Sequence, residues 1–147
     1  MSANIFVDTN ILVYCRDTSK PEKQEGAAEW VGFLWQSGVG RLSIQVITEF
    51  YAVVTGKLKP GMDAVSARED MRDLFSWNPL PLTADLIVVA WGVQDQYRLS
   101  WWDSLIVAAA WHQQCTILLS EDFQHNQDFQ GLRVINPFLI KPNEITL

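Results

Sequence analysis

The chain has 147 residues, of which 48% are hydrophobic and 19% are charged, the size and balance of one globular domain. Folding at this length buries ~70% of the surface that the unfolded chain exposes, so the fold needs neither disulfides nor a structural metal. The 11 basic residues and 17 acidic residues give a net charge of −6. This charge argues against binding nucleic acid through a broad basic face, but it permits nucleic-acid chemistry through bound cations. We expect a single domain over residues 1–147.

Cysteine usage and the apolar runs predict a cytoplasmic protein without a membrane segment. Cys15 and Cys115 fit no metal-ligand or redox-motif spacing, which is typical of a reduced protein. The segment Met1–Asn4 lacks the basic residues of a secretory signal. The longest apolar runs, Leu86–Trp91 and Leu105–Trp111, are too short to span a bilayer, and we interpret them as buried helical segments.

The first half of the chain alternates short β-branched runs with helical patterns. The first apolar run ends at Asp8 and precedes a helical pattern, as in a strand that feeds a helix. Pro21 is suited to the first turn of a second helix, and Gly38 to its end. In order, we predict a strand at Ile5–Val7, helices at Asn10–Arg16 and Pro21–Ser37, a short strand at Leu42–Ile44 and a helix at Gln45–Val54.

The second half continues the alternation. We predict a helix at Asp63–Trp77, an extended segment at Leu80–Leu82, helices at Thr83–Tyr97 and Ser100–Gln114, and strands at Thr116–Leu119 and Leu132–Ile135. Strands that alternate with helices, with no repeat and no flexible linker, predict an α/β fold with a mostly parallel sheet and helices on both faces. In such sheets the chemistry lies beyond the carboxyl ends of the strands.

Two acidic residues follow predicted strands. Asp8 directly follows the first strand, and Asp122 lies just beyond Thr116–Leu119. If these strands are parallel, both side chains project at the same edge of the sheet. Each acid taken singly could instead cap a turn or a helix, which is the more common role of such residues.

Two further acids lie on apolar helix faces. Glu49 shares its face with Val46 and Val53 at helical spacing, and Asp103 has the same relation to the apolar residues that follow it. A capping box with Ser100 could account for Asp103, but capping does not account for Glu49. A carboxylate on a buried face needs a partner.

Convergence of these four acids would require a cation. Two like charges ~4 Å apart at an effective dielectric of ~20 repel by about 4 kcal/mol. No lysine or arginine lies within three positions of any of the four acids, so a bound divalent ion is favoured over a local salt bridge. Hard oxygen ligands favour Mg²⁺ or Mn²⁺ over Zn²⁺. A carboxylate-bound metal with open coordination positions lowers the pKa of bound water, which predicts phosphodiester hydrolysis.

Four segments of the chain, taken together, resemble the PIN domain. They are Val7–Leu12, Thr48–Phe50, Trp102–Ile106 and Leu119–Phe123. The segments follow the order and spacing of that family, and more narrowly they resemble VapC-type toxins of type II toxin–antitoxin systems. The resemblance implies a three-layer α/β/α sandwich in which Asp8, Glu49, Asp103 and Asp122 form the acidic metal site of a ribonuclease.

The resemblance also implies supporting residues and partners. Thr9, Asn10 and Ser120 would orient the metal ligands or contact the scissile phosphate. Family members cleave RNA with metal-activated water, usually as homodimers, and the toxins are silenced by an antitoxin whose tail covers the acidic pocket. We therefore expect a Mg²⁺- or Mn²⁺-dependent endoribonuclease with an antitoxin partner. Two alternatives are a PIN nuclease that processes RNA without an antitoxin and a phosphoacceptor signalling domain, whose acceptor acid and late lysine the chain lacks.

Overall fold

The computed structural model describes residues 3–145, so Met1, Ser2, Thr146 and Leu147 of the predicted 1–147 domain lie outside the described part. In chain order the elements are β1 (Asn4–Val7), α1 (Thr9–Tyr14), α2 (Pro21–Ser37), β2 (Gly40–Arg41), α3 (Ile44–Gly56), α4 (Ala64–Phe75), α5 (Ala84–Tyr97), α6 (Trp101–His112), β3 (Cys115–Leu119), β4 (Asp128–Phe129) and β5 (Leu132–Ile135), followed by a 3-10 turn at Pro142–Glu144. This order confirms the predicted alternation of strands and helices.

The five strands form one sheet in the order β2-β1-β3-β5-β4. The pairs β1–β2, β1–β3 and β3–β5 are parallel, and only the edge strand β4 is antiparallel to its neighbour. Val7 at the end of β1 is in register with Leu119 at the end of β3. The residues that follow these two strands therefore emerge side by side at the carboxyl edge of the sheet.

The core lies between the central strands and two groups of helices. Ile5–Val7 of β1 and Leu118–Leu119 of β3 are fully buried, as expected for parallel strands that are covered on both faces. On one side α5 packs against α6, and elsewhere α1 packs against α2 and α3, while α3 packs against α4. The fold is the expected α/β/α sandwich.

The strand predicted at Leu42–Ile44 is wrong. The second strand is Gly40–Arg41, and Ser43 instead caps α3, because its Oγ accepts a hydrogen bond from the Val46 N–H at 3.3 Å. Ser43 keeps only an isolated β-bridge to Leu80. The two-residue strand β4 was not predicted, since a strand this short leaves little periodic signal.

The prediction that the run Leu86–Trp91 is buried is wrong for half of its side chains. Helix α5 buries Leu86, Ala90 and Val93, which are spaced as one stripe facing α6. The apolar side chains on the other face are exposed by 45 to 56%; they are Val88, Val89 and Trp91. The second run behaves as predicted, because Leu105–Ala110 of α6 is buried. Within residues 3–145, every helix is too short or too polar to cross a bilayer.

Candidate active site

Asp8 lies at the carboxyl end of β1 and caps α1. Its Oδ1 accepts a hydrogen bond from the Thr9 N–H at 2.7 Å, and its Oδ2 accepts one from the Ser120 hydroxyl, also at 2.7 Å. The backbone N–H of Asp8 donates to the Leu119 carbonyl at 3.0 Å. Only 5% of the residue is exposed. Asp8 therefore caps α1, which is the alternative role that the sequence allowed, and it is also a buried carboxylate.

Ser120 connects Asp8 to the segment that carries Asp122. The Ser120 hydroxyl donates to Asp8, and its oxygen accepts a hydrogen bond from the Asp122 N–H at 3.1 Å. The Ser120 N–H donates to the Ile135 carbonyl of the neighbouring strand at 3.1 Å. Ser120 is fully buried, whereas Asp122 is exposed. The parallel pairing of β1 with β3 therefore brings these acids to the same edge, as predicted.

Glu49 projects from the middle of α3 toward the same edge. Its Oε2 accepts a hydrogen bond from the Thr9 hydroxyl at 3.0 Å, and its Oε1 accepts one from the Gln45 side-chain amide at 3.1 Å. The same Gln45 amide reaches the Trp102 carbonyl at 3.4 Å. Glu49 is half-buried. Gln45 was not predicted as a site residue, although its position one turn before Glu49 is the available sequence signal.

Asp103 lies in the first turn of α6. The Ser100 hydroxyl caps this helix by accepting a hydrogen bond from the Asp103 N–H at 3.1 Å. Asp103 is half-buried, and the helix that follows it is almost wholly buried. Since Gln45 joins α3 to Trp102, the residue before Asp103, the start of α6 is tied to the helix that carries Glu49.

The pKa values of Asp8 and Asp103 respond to burial and to the charges of neighbouring acids. Burial raises the pKa of Asp8 to about 7; the hydrogen bond from Ser120 opposes this shift, and the charges of Asp122 and Asp103 add to it. Burial also raises the pKa of Asp103, opposed by Ser100, while the charges of Asp122 and Glu49 raise it further. Such shifts are typical of carboxylates that lack a positive partner.

Neither of the two salt bridges found between described residues involves the four acids. Arg16 pairs with Asp70, and Lys23 pairs with Glu121. Within residues 3–145, therefore, no salt bridge neutralises any of the four acids.

The carboxylates do not form a closed metal cage in this conformation. Among the described residues, no group of three or more His, Cys, Asp or Glu side chains is arranged to hold a metal ion. Asp8 and Glu49 are instead directed at hydrogen-bond donors. Like charges repel when no cation lies between them. The sharing of one ion by Asp8, Glu49, Asp103 and Asp122 stays a prediction.

A cleft of about 430 Å³ opens beside these acids. Of the four acids, Glu49 and Asp122 line it, together with Thr9 and Asn10. Both the oxygen and the nitrogen of the Asn10 side-chain amide are buried and have no hydrogen-bond partner. Buried polar atoms are nearly always paired, so the unpaired Asn10 amide is an exception that calls for an explanation. Asn10 thus offers a hard oxygen and an N–H donor next to the acids.

The metal-free protein should lose stability as pH rises from about 4 to about 7. In this window the folded protein retains a proton on Asp8, whose pKa is about 7, while the unfolded chain, with a pKa near 3.8, has lost it. The free energy of unfolding therefore falls with pH, by at most about 4 kcal/mol. In denaturant unfolding with EDTA, Asp8→Asn should flatten this fall, whereas Asp95→Asn on the exposed face of α5 should preserve it. A wild-type profile as flat as that of Asp8→Asn would contradict this account.

The sequence matches the model of the PIN domain family over residues 5–127. No curated protein matches the sequence. A solved structure of a toxin–antitoxin complex from Klebsiella pneumoniae contains a chain of similar fold, with a TM-score of 0.56 and 16% identity over 92% of this chain and 98% of that one. The family match covers most of the chain and includes all four acids. The chain belongs to the PIN domain family.

Proposed function

We propose that this protein is a Mg²⁺- or Mn²⁺-dependent endoribonuclease and the VapC-type toxin of a type II toxin–antitoxin pair. The observation that supports this most is a buried Asp8 whose pKa is raised to about 7 by burial and by neighbouring acids. Carboxylates with perturbed pKa values are typical of functional sites, and two of the neighbouring acids, Glu49 and Asp122, line a cleft. Membership of the PIN domain family supports nuclease chemistry over other uses of such a site.

Asp8, Glu49, Asp103 and Asp122 would hold the metal. They supply only oxygen donors, which suit Mg²⁺ or Mn²⁺, and none has a cationic partner among residues 3–145. The unpaired Asn10 oxygen lies in the same cleft. A divalent ion bound there would lower the pKa of a water molecule and offset the charge of the phosphate.

The remaining polar residues hold the acids in place. Ser120 bonds to the Asp8 carboxylate and to the Asp122 backbone, so one hydroxyl sets the spacing of two acids. Thr9 and Gln45 occupy the two oxygens of Glu49 and limit its rotation. The free Asn10 N–H is suited to donate to a phosphate oxygen. Such supporting contacts commonly change metal affinity or activity by 10 to ~100-fold.

The proposed toxin would have an antitoxin protein as its partner and would act in the cytoplasm. The solved structure with a similar fold is a toxin–antitoxin complex, which supports an antitoxin protein as partner. Cys15 and Cys115 are both free thiols, which supports action in the reducing cytoplasm.

Wild-type protein should cleave single-stranded RNA with Mg²⁺ and should not do so in EDTA. Asp8→Asn and Asp103→Asn should each lower the cleavage rate by more than ~100-fold, because each removes a charged ligand and not merely its support. Gel analysis of product ends provides the measurement, circular dichroism reports folding, and Asp95→Asn is the matched control. Undiminished cleavage in EDTA or in Asp8→Asn would refute the proposed mechanism.

The same variants separate a toxin from an RNA-processing nuclease. Induced expression of the wild type should arrest growth of a bacterial host, and Asp8→Asn should not. Cleavage in vitro without growth arrest would favour the alternative of a PIN nuclease that acts without an antitoxin.

We further propose that the protein is a homodimer formed through α5. The exposed apolar face of this helix consists of Val88, Val89 and Trp91, each of which is 45 to 56% exposed. Tryptophan is enriched in subunit interfaces, and homodimer interfaces are more apolar than the rest of the surface. Val88→Glu should therefore convert a dimer to a monomer in sedimentation experiments. Val65→Glu, at a site 64% exposed on α4, is the matched control, and a monomeric wild type would contradict the proposal.

A further inference from the structure

The cleft extends from the acids to a lysine. Its lining also includes Tyr14, Asp17 and Lys20, the last of which directly precedes α2. Lys20 is exposed, and its Nζ lies 5.6 Å from the centre of the Tyr14 ring. Neither salt bridge between described residues involves Lys20. An unneutralised positive charge therefore lies at the rim of an anionic cleft.

Lys23, the second lysine beside Tyr14, has no free charge to offer a ligand. The Lys23 ammonium pairs with Glu121 and lies 4.9 Å from the centre of the Tyr14 ring and 5.1 Å from that of Phe138. Its charge is thus already offset by a carboxylate. Of the two lysines that border this ring, Lys20 alone carries a charge free for a ligand.

The turn before Lys20 is held by its own hydrogen bonds. Asp17 is only 6% exposed, and its Oδ1 accepts hydrogen bonds from the Ser19 N–H at 3.1 Å and from the Ser19 hydroxyl. The Asp17 carbonyl accepts a hydrogen bond from the Lys20 N–H at 3.3 Å. Because Asp17 is buried and bonded inside the turn, the backbone of Lys20 is fixed relative to the cleft.

We propose that Lys20 binds a phosphate of the RNA next to the scissile one and so positions the strand across the acids. This inference rests on the proposed ribonuclease function. A lysine ammonium binds phosphate as a point charge, and the Tyr14 ring face helps to hold the ammonium near the cleft. The unpaired Asn10 amide lines the same cleft. Two phosphate-binding groups thus line one path.

Binding of a mixed-sequence single-stranded RNA, followed by fluorescence anisotropy at several salt concentrations, tests this assignment. The measurement uses Asp8→Asn protein with Mg²⁺, which prevents cleavage. Adding Lys20→Gln should weaken binding and reduce the slope of log affinity against log salt by ~0.7, the value for one lost contact to a single strand. Lys20→Arg should keep most of the affinity. Lys57→Gln, at an exposed position after α3 that does not line the cleft, should change neither quantity.

Cleavage kinetics supply the second readout. In otherwise wild-type protein, Lys20→Gln should raise KM and leave kcat nearly unchanged, as expected for a contact made equally in the ground and transition states. Unchanged binding and KM would overturn the role of Lys20 while leaving the ribonuclease proposal intact. An equal loss in Lys57→Gln would overturn it as well, by showing a general charge effect. RNA binding that depends on Lys20 without any cleavage would instead reject the ribonuclease proposal alone.

Discussion

A carboxylate buried without a positive partner is the interaction on which the site depends. Taking a charge out of water is unfavourable unless an opposite charge or several hydrogen bonds replace the solvent. Asp8 receives two hydrogen bonds, from Thr9 and Ser120, and no cation from residues 3–145. Its pKa rises to about 7. The folded chain thus favours the protonated form of this carboxyl group at the end of β1, and the proposed cation would take the place of that proton.

The arrangement of strands and helices brings other acids to the same edge of the sheet as Asp8. Strands β1 and β3 are adjacent and parallel, so the residues that follow them share an edge. Helices α3 and α6 each bring a half-buried acid to that edge, and Gln45 bridges the two helices. The hydrogen bond from the Thr9 hydroxyl to Glu49 joins α1 to α3, and the one from the Ser120 hydroxyl to Asp8 joins the segments that follow β3 and β1. The charges of Asp122 and Asp103 raise the pKa of Asp8, and those of Asp122 and Glu49 raise the pKa of Asp103, so the proposed cation would interact with several acids at once.

Much of this could be predicted from the sequence, because the signals are local. Asp8 and Asp122 follow recognisable strands, so their placement at one edge followed from parallel topology. Glu49 interrupts an apolar stripe, which marked it as unusual, but its place beside the other acids came from the family resemblance. Other features depend on packing that no local pattern specifies. Lys20 reaches the cleft only because the turn after α1 folds back, and Gln45 acquires its role from a neighbour on another helix. The exposed face of α5 was missed because an apolar run does not reveal which side is covered.

Anomalous diffraction from a crystal containing Mn²⁺ tests the central claim most directly, since it locates the cation without reference to activity. The account predicts an anomalous peak beside Asp8 within ligand distance, about 2.1 to 2.3 Å, of at least two of the four acids, and loss of that peak in Asp8→Asn. A crystal saturated with Mn²⁺ that shows no peak at this edge of the sheet, or one bound only elsewhere, would contradict the shared cation site.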